Sequence, residues 1–189
     1  MILIMKNNSH INESKEARLK RLKNNSYVEA IETLLNSIDN HFNNEIRITV
    51  DNHQTSLLFM GIHAVALTIS EAFFNKSGLD GYKLFTEKFI DGSINDKKFS
   101  TIASLVHDWR NILAHQWIGS TGHSIGYDYQ MEYGWQVREG ITFINPRIYC
   151  KQYLSAFKAG GSIWKYDQIF SQEELESIKQ RIIAKYEKK

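Results

Sequence analysis

Two hydrophobic periods divide the chain. Between about residues 26 and 118 apolar side chains recur every three to four positions, the spacing that lines one face of an α-helix. Ser26, with Glu29 three residues on, reads as a capping box opening a helix through Ala30, Ile31, Leu34, Leu35, Ile38 and Phe42. Residues from about Asn12 to Lys23 read as helical too, either joining it or preceding it by a short break. Asp51 with Gln54 caps an apolar helix running to about Phe74, where Asn75, Ser77 and Gly78 stop it. A short helix from about Gly81 to Ile90 is followed by the loop Asp91-Gly92-Ser93. The next helix begins near Asn95 or Asp96 and carries Phe99, Ile102, Leu105, Val106, Trp109, Ile112 and Leu113.

After Gly119 the period shortens to two. Ile125, Tyr127, Tyr129, Met131, Tyr133, Trp135 and Val137 alternate with polar residues or glycine, which predicts a strand with one covered face. Glu139-Gly140 marks a tight turn into Ile141-Thr142-Phe143-Ile144, so a β-hairpin is expected, with a possible second break near Tyr133-Gly134. Asn145 then caps a helix with Pro146 at its first position, carrying Ile148, Tyr149, Tyr153, Leu154 and Phe157 as far as Gly160-Gly161. Ser171 and Glu174 form a second capping box, before a terminal helix with Leu175, Ile178, Ile182 and Ile183. The expected architecture is mainly α: an antiparallel helical bundle in one domain over residues 1–189, with a β-hairpin inserted at about 124–144.

Composition narrows this little. The 189 residues are 42% hydrophobic and 12% aromatic, enough for a sizeable core, and the net charge of +2 neither requires nor excludes nucleic acid. Lys15, Arg18, Lys20, Arg21 and Lys23 make a basic stretch, read as a solvated helix face rather than a phosphate-binding arm. Cys150 is the only cysteine, which excludes an intrachain disulfide and a paired-cysteine metal site; it falls on an apolar helix face and reads as core. Met1-Ile2-Leu3-Ile4-Met5 is too short for a signal peptide. Leu57–Phe74 includes Gly61, His63, Thr68, Ser70 and Glu71, so it reads as a buried helix rather than a membrane span. A cytoplasmic protein without a membrane partner is the expectation.

Reactive side chains concentrate in Asp108-Trp109-Arg110-Asn111-Ile112-Leu113-Ala114-His115. Advancing about 100° per residue, Ile102, Leu105, Val106, Trp109, Ile112 and Leu113 share one arc, predicted to face the core. Asp108, Asn111 and His115 fall nearly in line on the opposite arc, with His107 and Arg110 toward its edges. Arg110 stands roughly 140° from His115, so their convergence needs a loosened helix end or a second protomer. A plain alternative is that Arg110 and His115 only answer the helix dipole. The chemical alternative rests on residue type. Arginine stays charged and matches phosphate oxygens in a fork, while histidine moves protons near neutral pH.

Arg110-Asn111-Ile112-Leu113-Ala114-His115 resembles the Arg-x(4–6)-His motif of the HEPN superfamily, in which asparagine frequently follows the arginine. The order of helices over about residues 26–118 is similar to that family too; the hairpin departs from it. Many HEPN proteins are dimeric, metal-independent endoribonucleases of toxin–antitoxin, phage-defence and RNA-processing systems, and others are inactive binding modules. The resemblance implies Arg110 and His115 as the catalytic pair, Asn111 as an auxiliary polar residue, and Asp108 as a possible orienter of the imidazole. It further implies RNA as substrate, a homodimer, a possible antitoxin partner protein, and neither metal nor cofactor. Elsewhere, His53 and His63 read as satisfied core histidines on one buried helix, and His107 with His115 lacks a third ligand for zinc. His123 follows the motif in a loop, where it could line a cleft. Gly119-Ser120-Thr121-Gly122 lacks the lysine of a phosphate-binding loop and reads as a turn. Tyr127, Tyr129, Tyr133 and Trp135 read as a cover for the bundle or a partner rather than a base-stacking surface.

Overall fold

The computed structural model describes residues 13–91, 97–116 and 125–188, with backbone alone at His115 and Gln116. The expected features at Met1–Met5, Asn95–Asp96, Gly119–Gly122 and His123 lie outside the described residues. The fold is mainly helical with a small three-stranded sheet. Its helices are α1 (Lys15–Asn24), α2 (Tyr27–Asp51), α3 (Thr55–Phe74), α4 (Gly78–Phe85), α5 (Ala103–Gln116), α6 (Pro146–Phe157) and α7 (Gln172–Glu187).

The centre is α3. It is apolar nearly all round, and Leu58, Phe59, Ile62, Val65, Ala66, Ile69 and Phe73 are buried by contacts with α2, α4, α5, α6 and α7. Among the described residues it is the one helix long and apolar enough to cross a membrane, yet 56% of its most apolar stretch is covered by the rest of the fold. It is therefore a core helix, as its scattered polar residues predict. Cys150 is buried in the same continuous core, which pushes its thiol up to about 11.

The helix ends show where local patterns yield to longer-range contacts. Ser171 and Glu174 close a complete capping box on α7. Asn145 accepts from the backbone N–H groups of Arg147 and Ile148, with Pro146 at the first helical position. Asn75 ends α3 in the left-handed conformation (φ 53°). By contrast, Ser26 precedes α2 without a side-chain cap, and the Glu29 carboxylate is engaged by Arg21. Asp51 belongs to the end of α2, and α3 starts after Gln54, which also makes no side-chain cap. Gly78 opens α4 rather than only closing α3, and α4 continues through a π-helical turn at Thr86–Ile90. The segment leading into α5 is a 3-10 turn, Phe99–Ile102. Its first amides are held by Asp91, whose carboxylate accepts from Phe99 N–H at 2.7 Å and Ser100 N–H at 3.0 Å.

Within the basic stretch Lys15, Lys20 and Lys23 are exposed, as a solvated face predicts, while Arg18 and Arg21 are partly covered. Arg21 grips Glu13 through two hydrogen bonds of 2.9 Å, Arg18 lies over the Tyr186 ring, and Lys23 pairs with Glu187 at 2.6 Å. These charges tie α1 to Glu13 just before it and to α7.

The period-two stretch corrects the single-strand expectation. It forms β1 (Ile125–Tyr127) and β2 (Trp135–Arg138), while β3 (Ile141–Ile144) lies between them in the order β1-β3-β2. β2 and β3 make the expected hairpin, turning at Glu139 (φ 50°) and Gly140 (φ 78°), both in the positive-φ region such two-residue turns require. β1 instead runs parallel to β3. The intervening segment leaves the strand conformation after Asp128, whose N–H still bonds Ile144 O of β3 at 3.0 Å. Asp128 accepts from Gln130 N–H and pairs with Arg138, and Asn145 donates to Met131 O at 2.6 Å. Gly134 lies where a Cβ would come within 2.7 Å of the Phe99 ring, so the segment closes against the approach to α5.

Candidate functional site

α3 and α5 pack side by side, and their contact is polar at one point. His63, fully buried on α3, has its Nε2 hydrogen-bonded to Nδ1 of His107 on α5 at 2.8 Å. The His63 ring stacks on Tyr82 with centroids 4.6 Å apart, and the Tyr82 hydroxyl meets that of Tyr149 at 2.6 Å. Burial holds His63 down to about 3, with the nearby Arg110 charge and His107 adding to the effect. His107 is also held below the usual histidine value by burial; Asp108 opposes this and Arg110 reinforces it. Both imidazoles are therefore neutral at physiological pH.

Arg110 belongs to the same cluster. Its Nη1 donates to Asn111 Oδ1 at 3.0 Å, while its Nε is buried without a partner. No carboxylate stands within ion-pair distance of it among the described residues. Asn111 thus acts directly on the arginine, which no wheel could specify. Asp108 is exposed and its charge is felt by its neighbour His107.

The core-facing arc of α5 differs from the one expected. Ile102, Ala103, Val106 and Leu113 are buried, but Leu105, Trp109 and Ile112 are only half-buried. Trp109 uses its indole N–H to bond the Tyr127 hydroxyl. The helix is turned so that Ala103, Val106, His107 and Arg110 lie toward the inside. The physical reason is that α3 offers His63 there, a polar partner that an apolar side chain would leave unsatisfied. Arg110 was expected on the outer arc and stands instead beside the buried histidine. His115 lies five residues further along the α5 backbone; its side chain is outside the described residues.

His53 and His63 do not share one environment. His53 sits in the exposed turn between α2 and α3 at φ 56°, its ring 4.3 Å from Tyr129. His63 is buried as expected, but its Nδ1 has no partner. The pairing of His63 with His107 was not anticipated. Its one sequence signal was a histidine in the middle of an otherwise apolar helix.

The aromatic residues beyond β1 largely cover the bundle. The Tyr129 hydroxyl meets Thr55 Oγ1 at 2.6 Å, and Trp135 donates to Lys97 O at 2.8 Å. Tyr133 remains 52% exposed beside the Lys97 ammonium. A separate groove of about 790 Å³ runs between α6 and the 3-10 turns at Ser162–Gln168, lined by Lys151, Lys158 and Lys165 and remote in its lining from His63, His107 and Arg110. Among the described residues no three His, Cys, Asp or Glu side chains gather as a metal-binding group. No protein-family profile, curated protein or solved structure matches the chain.

Proposed function

We propose that this chain is a HEPN-like RNA-cleaving protein whose site is built on α5 from Arg110, Asn111 and His115. The observation that carries the reading is the state of Arg110: a guanidinium with no carboxylate partner among the described residues, steadied by Asn111 and set beside neutral imidazoles. A half-buried positive charge of this kind is costly unless an anion completes it. Phosphate matches it in charge and in fork geometry.

The reaction needs no redox partner. His115 takes the proton from an RNA 2′-hydroxyl, and the 2′-oxygen forms a bond to the adjacent phosphorus. The bond from phosphorus to the 5′-oxygen breaks, that oxygen takes up a proton from water, and the proton held by His115 returns to solvent. The products are a 2′,3′-cyclic phosphate and a 5′-hydroxyl. Arg110 stabilises the charge that builds on the phosphoryl oxygens, and general acid–base work by a histidine contributes about 10²–10⁴-fold. Because Arg110 and His115 diverge by roughly 140° on a regular helix, the pair is completed across a homodimer, with a second α5 facing the first.

The experiment is RNA cleavage in the presence of a chelator. Wild type cuts, and Arg110→Ala and His115→Ala each lose about 10²-fold or more. Equal activity in all three, or no activity in wild type over varied RNAs, overturns the enzymatic reading. A second reading, a non-catalytic HEPN-like module that binds a partner protein such as an antitoxin, draws on the exposed apolar side chains Tyr133, Val137 and Ile141 around the hairpin. Retained partner binding by a wild type that cleaves nothing favours it.

A further inference from the structure

His63 has one ring nitrogen bonded and the other sealed from solvent without a partner. This constrains where the protons sit. A buried N–H with no acceptor is rarer in folded proteins than an acceptor with an unused lone pair. The arrangement of lower cost leaves Nδ1 of His63 as the bare lone pair and puts the proton on its Nε2. His63 then donates to Nδ1 of His107, and the His107 proton is confined to Nε2, at the far side of a half-buried ring. That atom is not among the sealed, unpartnered ones.

Arg110 follows His107 by three residues, which sets the two side chains about 60° apart on α5. Its guanidinium acts on both histidines, its Nε is likewise unpartnered, and Asn111 holds one of its terminal nitrogens. One face of one helix thus carries a fixed N–H donor and a fixed positive charge. His115, by contrast, lies roughly 140° round from Arg110.

We infer that His107 Nε2–H and Arg110 of the same protomer together bind a phosphate oxyanion, with His63 as the positioning residue that locks the His107 tautomer. The inference deepens the RNA-cleaving reading and rests on it for the identity of the phosphate as a scissile one. It leaves proton transfer to His115. His107 acts as a neutral donor, and no bond is made or broken at it.

The test is an NMR titration of full-length protein, ¹⁵N-labelled in histidine, with inorganic phosphate at neutral pH. In the wild type without phosphate, His107 is protonated on Nε2 and bare on Nδ1, and phosphate moves the His107 Nε2 resonance saturably. Arg110→Ala weakens that binding by about tenfold or more, the scale of a charge-assisted hydrogen bond. His63→Gln keeps an N–H at a comparable reach and preserves both the tautomer and binding. His63→Leu removes it, lets His107 sample both tautomers, and weakens binding. His107 protonated on Nδ1 in wild type, or a His107 signal indifferent to phosphate, overturns the inference, and neither result depends on a variant folding. Running RNA cleavage in parallel separates the two claims. Phosphate-responsive His107 in a protein that cleaves no RNA leaves the oxyanion site standing and removes the nuclease reading. Arg110- and His115-dependent cleavage with an unresponsive His107 does the reverse.

Discussion

His63 shows how one polar atom in a core reorganises its surroundings. The chain places a histidine among Phe59, Ile62 and Ala66, and only another polar group can satisfy it there. His107 does so, and α5 turns to bring it in. The consequence is measurable as a pH dependence. His63 titrates near 6.5 when unfolded and is held down to about 3 when folded, so between those values the unfolded chain binds more protons. Stability is therefore complete above about pH 6.5 and falls on acidification, by up to about 1.4 kcal/mol per pH unit for each histidine held neutral. His107 adds in the same direction. The lowered carboxylates of Asp128 and Glu174 start from 3.8 and 4.5, so their contributions are lost only at lower pH. Urea unfolding between pH 5 and 6.5 lies above both carboxylate values, and there His63→Gln flattens the slope. An unchanged slope in that variant contradicts the account. The motif string Arg110 to His115 was readable in the sequence, but the His63–His107 pair was not. Forty-four positions separate its members, and no local periodicity encodes which two helices meet.

Among the elements, caps separate what a short sequence window can decide from what it cannot. Ser26/Glu29 and Ser171/Glu174 present the same pattern, yet only the second closes into a capping box; at the first, the Glu29 carboxylate pairs with Arg21 instead. The cap that prepares α5 comes from Asp91, eight residues before the first amide it accepts. Ser171→Ala is expected to cost about 1 kcal/mol and Ser26→Ala less than about 0.5 kcal/mol. Asp91→Ala, which strips partners from two amides, costs about 1–3 kcal/mol. Denaturant unfolding of the three variants gives the order Asp91, Ser171, Ser26; a Ser26→Ala loss as large as that of Ser171→Ala contradicts it. The sheet teaches the same distinction. The hairpin at Glu139-Gly140 follows from its turn residues, whereas the break after Tyr127 goes with a turn at Asp128 and with Asn145, beyond the hairpin, holding Met131 O.

For the molecule as a whole, the helical class and the central place of α3 followed from periodicity and apolar content. The orientation of α5 did not, because it depends on the surface α3 presents. The charge distribution also changed in meaning once folded. Arg21 and Lys23 of the basic N-terminal helix are paired with Glu13, Glu29 and Glu187, while Arg110 has no carboxylate partner among the described residues. The proposed chemistry therefore centres on Arg110 and α5 rather than on the most basic part of the chain. The most direct test is the end chemistry of RNA incubated with wild-type protein in excess chelator. The account predicts fragments with a 5′-hydroxyl and a 2′,3′-cyclic phosphate, absent with Arg110→Ala. Fragments bearing a 5′-phosphate, cleavage that survives Arg110→Ala, or no cleavage of any RNA would contradict it.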